Sequence, residues 1–147
     1  DASRVYTEKV EIREEDLTNP DDAILYQKTG VNVLAVSIGT FHGIDISGAR
    51  ESLRFDRLED LNNKIKIPIV LHGGSGVPEE DIKKAVQMGI VKININTESR
   101  IAFSNTLRKV LLSNEEIVPY KYLQEPINAV KELVESKIKI FGSENKI

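Results

Sequence analysis

Two histidines are the residues of this 147-residue sequence whose type and spacing most directly suggest chemistry. His42 lies in the segment GTFHG and His72 in the segment HGGSG, about one βα unit further along the chain. Two neutral imidazoles are good ligands for zinc or another divalent ion, which needs at least a third protein ligand. The pair therefore predicts a metal site. The alternative is that each ring only donates a hydrogen bond to a neighbouring loop carbonyl.

Glycines and small polar residues around these segments predict a second kind of site. Glycines let backbone N–H groups approach an anion closely, and a neighbouring serine adds a hydroxyl donor. The free N–H groups and the positive dipole end of a helix also favour phosphate. Plain turn geometry is the alternative explanation for the glycines. The predicted phosphate-binding residues are Gly43, Gly73, Ser75, Asn94, Asn96 and Thr97.

The elements that would position these residues alternate along the chain. From residue 20 onward, short β-branched runs alternate with longer amphipathic stretches, which is typical of βαβ units with a parallel sheet. Strands are predicted at residues 31–38, 67–71 and 90–95, and each is followed by one of the polar clusters. The carboxyl ends of parallel strands form the active face of such folds. Helices are predicted to begin near residues 20, 55, 78 and 98, where Thr97 can act as the cap, with a last helix from residue 119 or 126.

The strand spacing predicts an α/β fold of the (β/α)8 TIM-barrel type, of which this chain holds the C-terminal part, because a complete barrel needs about 250 residues. A doubly wound open sheet is the alternative, but the sequence has no G-x-G-x-x-G turn after a strand. Residues 1–19 show no clean hydrophobic period and are predicted to be an irregular or discontinuous segment. Residues 20–147 are predicted to form the C-terminal part of the barrel domain.

Composition excludes several classes of function. The formal net charge is −3 and there is no basic cluster, so neither nucleic acid nor a membrane is an expected partner. There are no cysteines, which excludes disulfides and thiolate metal sites and fits a cytoplasmic protein. The acidic run at residues 79–81 is expected to complement a helix dipole. Arg57 is expected on a solvated helix face, and Arg50 is a candidate for binding an anion.

Four segments together resemble one enzyme family. They are VLAVSIGTFHG at residues 33–43, LRFDRL at residues 53–58, IPIVLHGGSGVP at residues 67–78, and VKININT at residues 91–97 followed by RIAF at residues 100–103. The combination is similar to the carboxy-terminal half of class II, metal-dependent fructose-bisphosphate aldolases and the related tagatose-bisphosphate aldolases. The resemblance runs from about residue 20 to residue 143 and covers about half of such an enzyme.

The resemblance implies a role for each predicted site residue. It makes His42 and His72 ligands of Zn²⁺ or another divalent metal, and it assigns the phosphate and hydroxyl groups of a ketose 1,6-bisphosphate to the six residues of the predicted phosphate site. Asn96 stands where many fructose-type members have aspartate. The implied reaction is reversible cleavage of fructose 1,6-bisphosphate to dihydroxyacetone phosphate and glyceraldehyde 3-phosphate in glycolysis or gluconeogenesis. A homodimer or homotetramer is also implied.

The sequence departs from the family pattern in two places. The family's D-H motif, which supplies a third zinc histidine and an acid/base aspartate, is absent, and residues 44–48 lack the lysine that often follows the H-G motif. Glu98 and Asp45 are expected near the rim, but neither is a convincing general base. No catalytic residue is therefore assigned, and this chain alone is expected to be inactive. A non-catalytic half-barrel that binds phosphorylated ligands and a metal-free barrel isomerase remain alternatives.

Overall fold

The computed structural model describes residues 4–6, 12–40, 43–45 and 52–146 of the chain. They fall into two compact units, Asp1–Ile95 and Asn96–Ile147. The elements, in chain order, are β1 (Arg4–Tyr6), a 3-10 turn (Glu14–Asp16), α1 (Pro20–Lys28), β2 (Leu34–Val36), β3 (Gly43–Asp45), α2 (Phe55–Lys64), β4 (Ile69–Leu71), α3 (Glu79–Gln87), β5 (Ile90–Ile93), α4 (Thr97–Ser113), α5 (Pro119–Tyr122) and α6 (Gln124–Ile140).

The centre of the first unit is a parallel three-stranded sheet in the order β2-β4-β5. Leu34 pairs with Ile69 across β2 and β4, and Leu71 pairs with Ile93 across β4 and β5. All three residues of β4 are buried, as expected for a strand covered on both faces. The predicted parallel arrangement of the three strands is confirmed. Each strand is shorter than the apolar run that predicted it.

A second, two-stranded sheet was not predicted. β1 and β3 pair in parallel, with Arg4 opposite Gly43 and Tyr6 opposite Asp45. Within residues 1–19, which were predicted to be irregular or discontinuous, the structure describes this strand and the 3-10 turn at Glu14–Asp16. Both are three residues long, so neither produces a recognisable period in the sequence. The domain boundary predicted at residue 19 stays a prediction.

Local sequence explains where the helices of the first unit begin and end. The Asn19 side chain accepts a hydrogen bond of 2.8 Å from the Asp21 N–H, and Pro20 is the first helical residue of α1. Such a cap satisfies an N–H that has no partner inside the helix. Gly89 follows Met88, the cap residue of α3, and has a φ of +103°, a left-handed conformation that glycine adopts without strain. The predicted starts of α1 and α3, near residues 20 and 78, are therefore confirmed within one residue.

The second unit is built from α4, α5 and α6. Val110 of α4 and Pro126 of α6 are buried in it. Thr97 was predicted to cap α4, but it is the first helical residue and Asn96 occupies the cap position. The last helix does not run continuously from residue 119, because α5 ends at Tyr122 and α6 begins at Gln124. No helix in the described parts of the chain is long and apolar enough to cross a membrane.

Candidate active site

His72 follows β4 directly, and backbone hydrogen bonds to both neighbouring strands place it. Its N–H donates to the Val36 carbonyl of β2 at 3.2 Å. The Leu71 carbonyl accepts from the Asn94 N–H, just beyond β5, at 3.1 Å. The half-buried His72 therefore lies at the carboxyl edge of the sheet, where the sequence predicted a metal ligand. Main-chain hydrogen bonds thus help to fix the position of residue 72.

The loop after His72 is folded tightly against the end of β5. The Gly74 N–H donates to the Asn94 carbonyl at 3.2 Å. A Cβ atom on Gly74 would lie 2.5 Å from Ile93 Cγ2 and 3.1 Å from Ile95 Cδ1, so there is no room for a side chain. Ser75 is buried, with 4% of its surface exposed. Gly74 is thus required for packing, and the residues beside it form a closely packed cradle.

The predicted phosphate residues occupy different parts of the chain. Asn94 lies at the same sheet edge as the glycine loop, and its side-chain oxygen accepts a short hydrogen bond from Lys92 Nζ. Gly43 begins β3, in the separate two-stranded sheet. Asn96 and Thr97 begin the second unit. The structure therefore brings together Gly73, Ser75 and Asn94 of the predicted set.

Of the two histidines predicted to bind a metal, the structure describes one. His72 provides an imidazole at the sheet edge, whereas His42 lies outside the described residues. Across the part of the chain that the structure describes, no three residues of the histidine, cysteine, aspartate and glutamate types cluster as a metal site. The residues present fit a divalent ion through His72 as one nitrogen ligand. A complete ligand set needs His42 and at least one further group.

Thr40, at this edge, belongs to the GTFHG segment but was not among the predicted site residues. It lies beyond the carboxyl end of β2, is 7% exposed, and its Oγ1 is buried with no hydrogen-bond partner among the described residues. Buried hydroxyls are nearly always hydrogen-bonded, so such an atom fits a site that receives a polar ligand. The glycine after a β-branched strand was the visible signal, but burial of the threonine depends on the packed sheet.

A cleft of about 750 Å³ at the start of α1 has a different character. Among the described residues that line it, Glu14, Glu15 and Asp22 are acidic and Arg57 is the one cation. The Arg57 side chain is only 15% exposed, contacts Glu14 and donates to the Thr18 carbonyl at 3.0 Å. The expectation that Arg57 lies on a solvated face is wrong, because these contacts draw it inward. The charge of these described residues is mainly negative, which disfavours a phosphorylated ligand. Arg50 lies outside the described residues.

Asp81 links α3 to the residues just before α2. Its carboxylate accepts from Ser52 Oγ at 2.9 Å and from the Leu53 N–H at 3.0 Å. It lies in the first turn of α3, as expected for a residue that complements the helix dipole. The bonds to Ser52 and Leu53 add a second function, because they fix the start of the segment leading into α2. No local pattern reveals this function, since the partners are distant in sequence.

Known proteins match this chain over most of its length. Residues 3–146 match the family described as class-II fructose-bisphosphate aldolase. The sulfofructosephosphate aldolase of Alkalicoccus urumqiensis is 40% identical over 143 residues, which is 93% of this chain and 48% of that protein. The fructose-bisphosphate aldolase of Staphylococcus aureus is 42% identical over 123 residues, covering 83% of this chain and 42% of that protein.

A solved aldolase structure has a similar fold. The crystal structure of the YdjI aldolase from Escherichia coli K12 superposes with a TM-score of 0.74 at 35% identity and covers 88% of this chain and 46% of that one. The predicted fold class, the C-terminal part of a (β/α)8 barrel, is confirmed. The chain spans about half the length of the curated relatives that it matches. With its motifs, its parallel sheet and the match over residues 3–146 in agreement, the chain belongs to the class-II fructose-bisphosphate aldolase family.

Proposed function

We propose that this chain supplies the carboxy-terminal half of the active site of a zinc-dependent ketose-bisphosphate aldolase. The expected reaction is reversible cleavage of fructose 1,6-bisphosphate to dihydroxyacetone phosphate and glyceraldehyde 3-phosphate. The main support is the loop after β4, where His72 precedes a glycine cradle packed against the end of β5. A metal ligand and anion donors at one sheet edge suit a substrate that carries both a carbonyl and phosphates.

His72, with His42, would hold Zn²⁺ or another divalent ion. Such an ion supplies Lewis-acid polarisation of the ketose carbonyl. The residues of this chain then bind and orient the substrate. The Gly73 amide and the Ser75 hydroxyl are the proposed donors to a phosphate. The Gly74 amide, between them, donates to the Asn94 carbonyl and holds the loop against the end of β5. Binding energy from the phosphate, remote from the bond that breaks, aligns the reacting carbons.

Asn94, Asn96 and Thr97 complete the proposed phosphate and hydroxyl contacts. Asn96 caps α4 and Thr97 is its first residue, so the N–H groups at the start of that helix lie beside them. Gly43 is the remaining proposed backbone contact, at the start of β3. Cleavage also requires a base that removes the C4 hydroxyl proton. We assign no such base within this chain, and Glu98 is engaged by Lys137 at 2.6 Å.

Two further substrates are candidates for the same site. Tagatose 1,6-bisphosphate differs from fructose 1,6-bisphosphate only in stereochemistry. The proposed phosphate contacts do not distinguish the two, because both sugars carry the same phosphates. A sulfofructose phosphate is the substrate class named for the Alkalicoccus relative, which is 40% identical to this chain. The Staphylococcus relative named for fructose bisphosphate is 42% identical. Sequence identity therefore does not distinguish among these substrates, and kinetic measurements are needed to do so.

The test is a cleavage assay on the complete gene product with the three ketoses, before and after removal of its metal. We expect cleavage of fructose 1,6-bisphosphate that is lost with the metal and restored by zinc. His72→Ala should lose both metal and activity, and circular dichroism should show that the variant is still folded, because main-chain bonds help to place residue 72. Stoichiometric metal and full activity in His72→Ala would refute the assignment. Binding of the ketoses without any turnover would favour the non-catalytic half-barrel.

A further inference from the structure

One ion pair ties the first turn of α4 to the last turn of α6. Lys137 Nζ lies 2.6 Å from Glu98 Oε2, and the two side chains are only 18% and 16% exposed. By contrast, Lys131 and Glu135 on the same α6 are 3.7 Å apart and are 70% and 56% exposed. A shielded pair at short distance is attracted more strongly and is screened less by salt than an exposed pair. The Glu98–Lys137 pair therefore fixes where these two helix ends meet.

The positions of the two charges within their helices reinforce this link. Glu98 lies in the first turn of α4, where a negative charge complements the helix dipole, and Lys137 lies in the last turn of α6, where a positive charge does. Loss of either partner would leave the other charge poorly solvated. The first turn of α4 would then lack the ion pair that joins it to the end of α6.

That same turn carries two residues of the proposed phosphate site. Asn96 is the cap of α4, its carbonyl accepts from the Arg100 N–H at 3.1 Å, and Thr97 is the first helical residue. Thr97 is buried, with 6% of its surface exposed. A displacement of the turn would move both residues and the N–H groups at the helix start. Anion binding depends on the direction in which those groups point.

We infer that Glu98 and Lys137 are positioning residues, which hold Asn96 and Thr97 in the geometry that binds a substrate phosphate. This inference rests on the proposed function. It also accounts for a carboxylate close to the expected rim that has no evident part in proton transfer. The geometry predicts an effect of the pair on substrate binding and not on the chemical step.

The test compares Lys137→Met with Lys131→Met in the complete gene product, the same substitution on the same helix. In Lys137→Met we expect KM for fructose 1,6-bisphosphate to rise about tenfold, as for one weakened charge-assisted hydrogen bond, with kcat within about twofold of the wild type. Lys131→Met should leave both constants unchanged. Glu98→Gln, a milder change, should repeat the rise in KM. Lys137→Arg keeps the charge and should restore KM.

Calorimetric titration with inorganic phosphate separates this inference from the proposed function. Weaker phosphate binding in Lys137→Met than in Lys131→Met supports the positioning role whether or not the wild type cleaves the ketose. Equal phosphate affinity in the two variants would overturn the positioning role, as would an unchanged KM in both Lys137→Met and Glu98→Gln. Absence of cleavage by the zinc-loaded wild type would overturn only the proposed function.

Discussion

Gly74→Ala tests whether the loop after His72 is held by close packing against β5. The added Cβ would lie 2.5 Å from Ile93 Cγ2 and 3.1 Å from both the Asn94 carbonyl oxygen and Ile95 Cδ1. Gly74 is not among the glycines with a positive φ, so alanine brings a steric clash but no left-handed backbone strain. The clash is with backbone and with branched side chains of one strand end, which cannot simply swing away.

The expected magnitude follows from two opposing terms. Overpacking a well-packed site costs typically about 1–3 kcal/mol, whereas replacing glycine by alanine in a compatible conformation stabilises by about 0.4–1 kcal/mol. We therefore expect Gly74→Ala to lower the free energy of unfolding by about 1–2 kcal/mol. For a protein of this size that corresponds to a fall in Tm of roughly 2–8 °C, measurable by calorimetry or circular dichroism.

A double-mutant cycle identifies the clashing atom. Ile93→Ala removes Cγ2, so Gly74→Ala should cost at least about 0.5 kcal/mol less in that background. Gly30→Ala is the control, because Gly30 has a φ of +87° and a Cβ added there would meet nothing within 4 Å. Its cost is backbone strain alone and should be the same with or without Ile93. A stabilising Gly74→Ala, or one whose cost is independent of Ile93, would refute the packing argument.

Two further substitutions test the phosphate cradle and the pH dependence of stability. Ser75→Ala should raise KM for a bisphosphorylated ketose by roughly one to two orders of magnitude, since a hydrogen bond to a charged group contributes about 1.5–3 kcal/mol. Equal losses for an unphosphorylated ketose would mean that Ser75 only supports the loop. The side-chain hydrogen bonds from Arg54 lower the pKa of Asp56, so ionised Asp56 stabilises the folded state above about pH 4, near its unfolded pKa. Asp56→Asn should therefore lower Tm near neutral pH, and the difference should vanish as pH falls through the lowered folded pKa; a constant difference down to strong acid would contradict this.

Features set by neighbouring residues were predictable from the sequence. The start of α1 follows from Asn19 and Pro20, whose capping bond and fixed φ act within two residues. The buried strand β4 follows from its continuous β-branched run, because no other short element buries both faces. The position of His72 at the edge of the sheet then follows, because His72 comes directly after this strand in the chain.

Features set by distant partners were not predictable. β1 and β3 are each three residues long, and the pairing of Tyr6 with Asp45 joins segments far apart in the chain. Arg57 was expected in solvent because its helix face looks polar, yet Glu14 and the Thr18 carbonyl draw it inward. The buried hydroxyl of Thr40 likewise depends on packing that no local pattern encodes.

Main-chain hydrogen bonds around β4 hold the loop of the proposed site, whereas its side chains would carry out the chemistry. The amides and carbonyls that place residue 72 and the following loop belong to Val36, His72, Leu71, Gly74 and Asn94, and none of these bonds uses a side-chain atom. Apart from position 74, which is closed to a side chain, residues at this edge can therefore change during evolution without loss of these bonds. Relatives with nearly equal identity to this chain bear names for different sugar substrates. A scaffold of this kind lets substrate preference drift through point substitutions while the barrel itself stays the same.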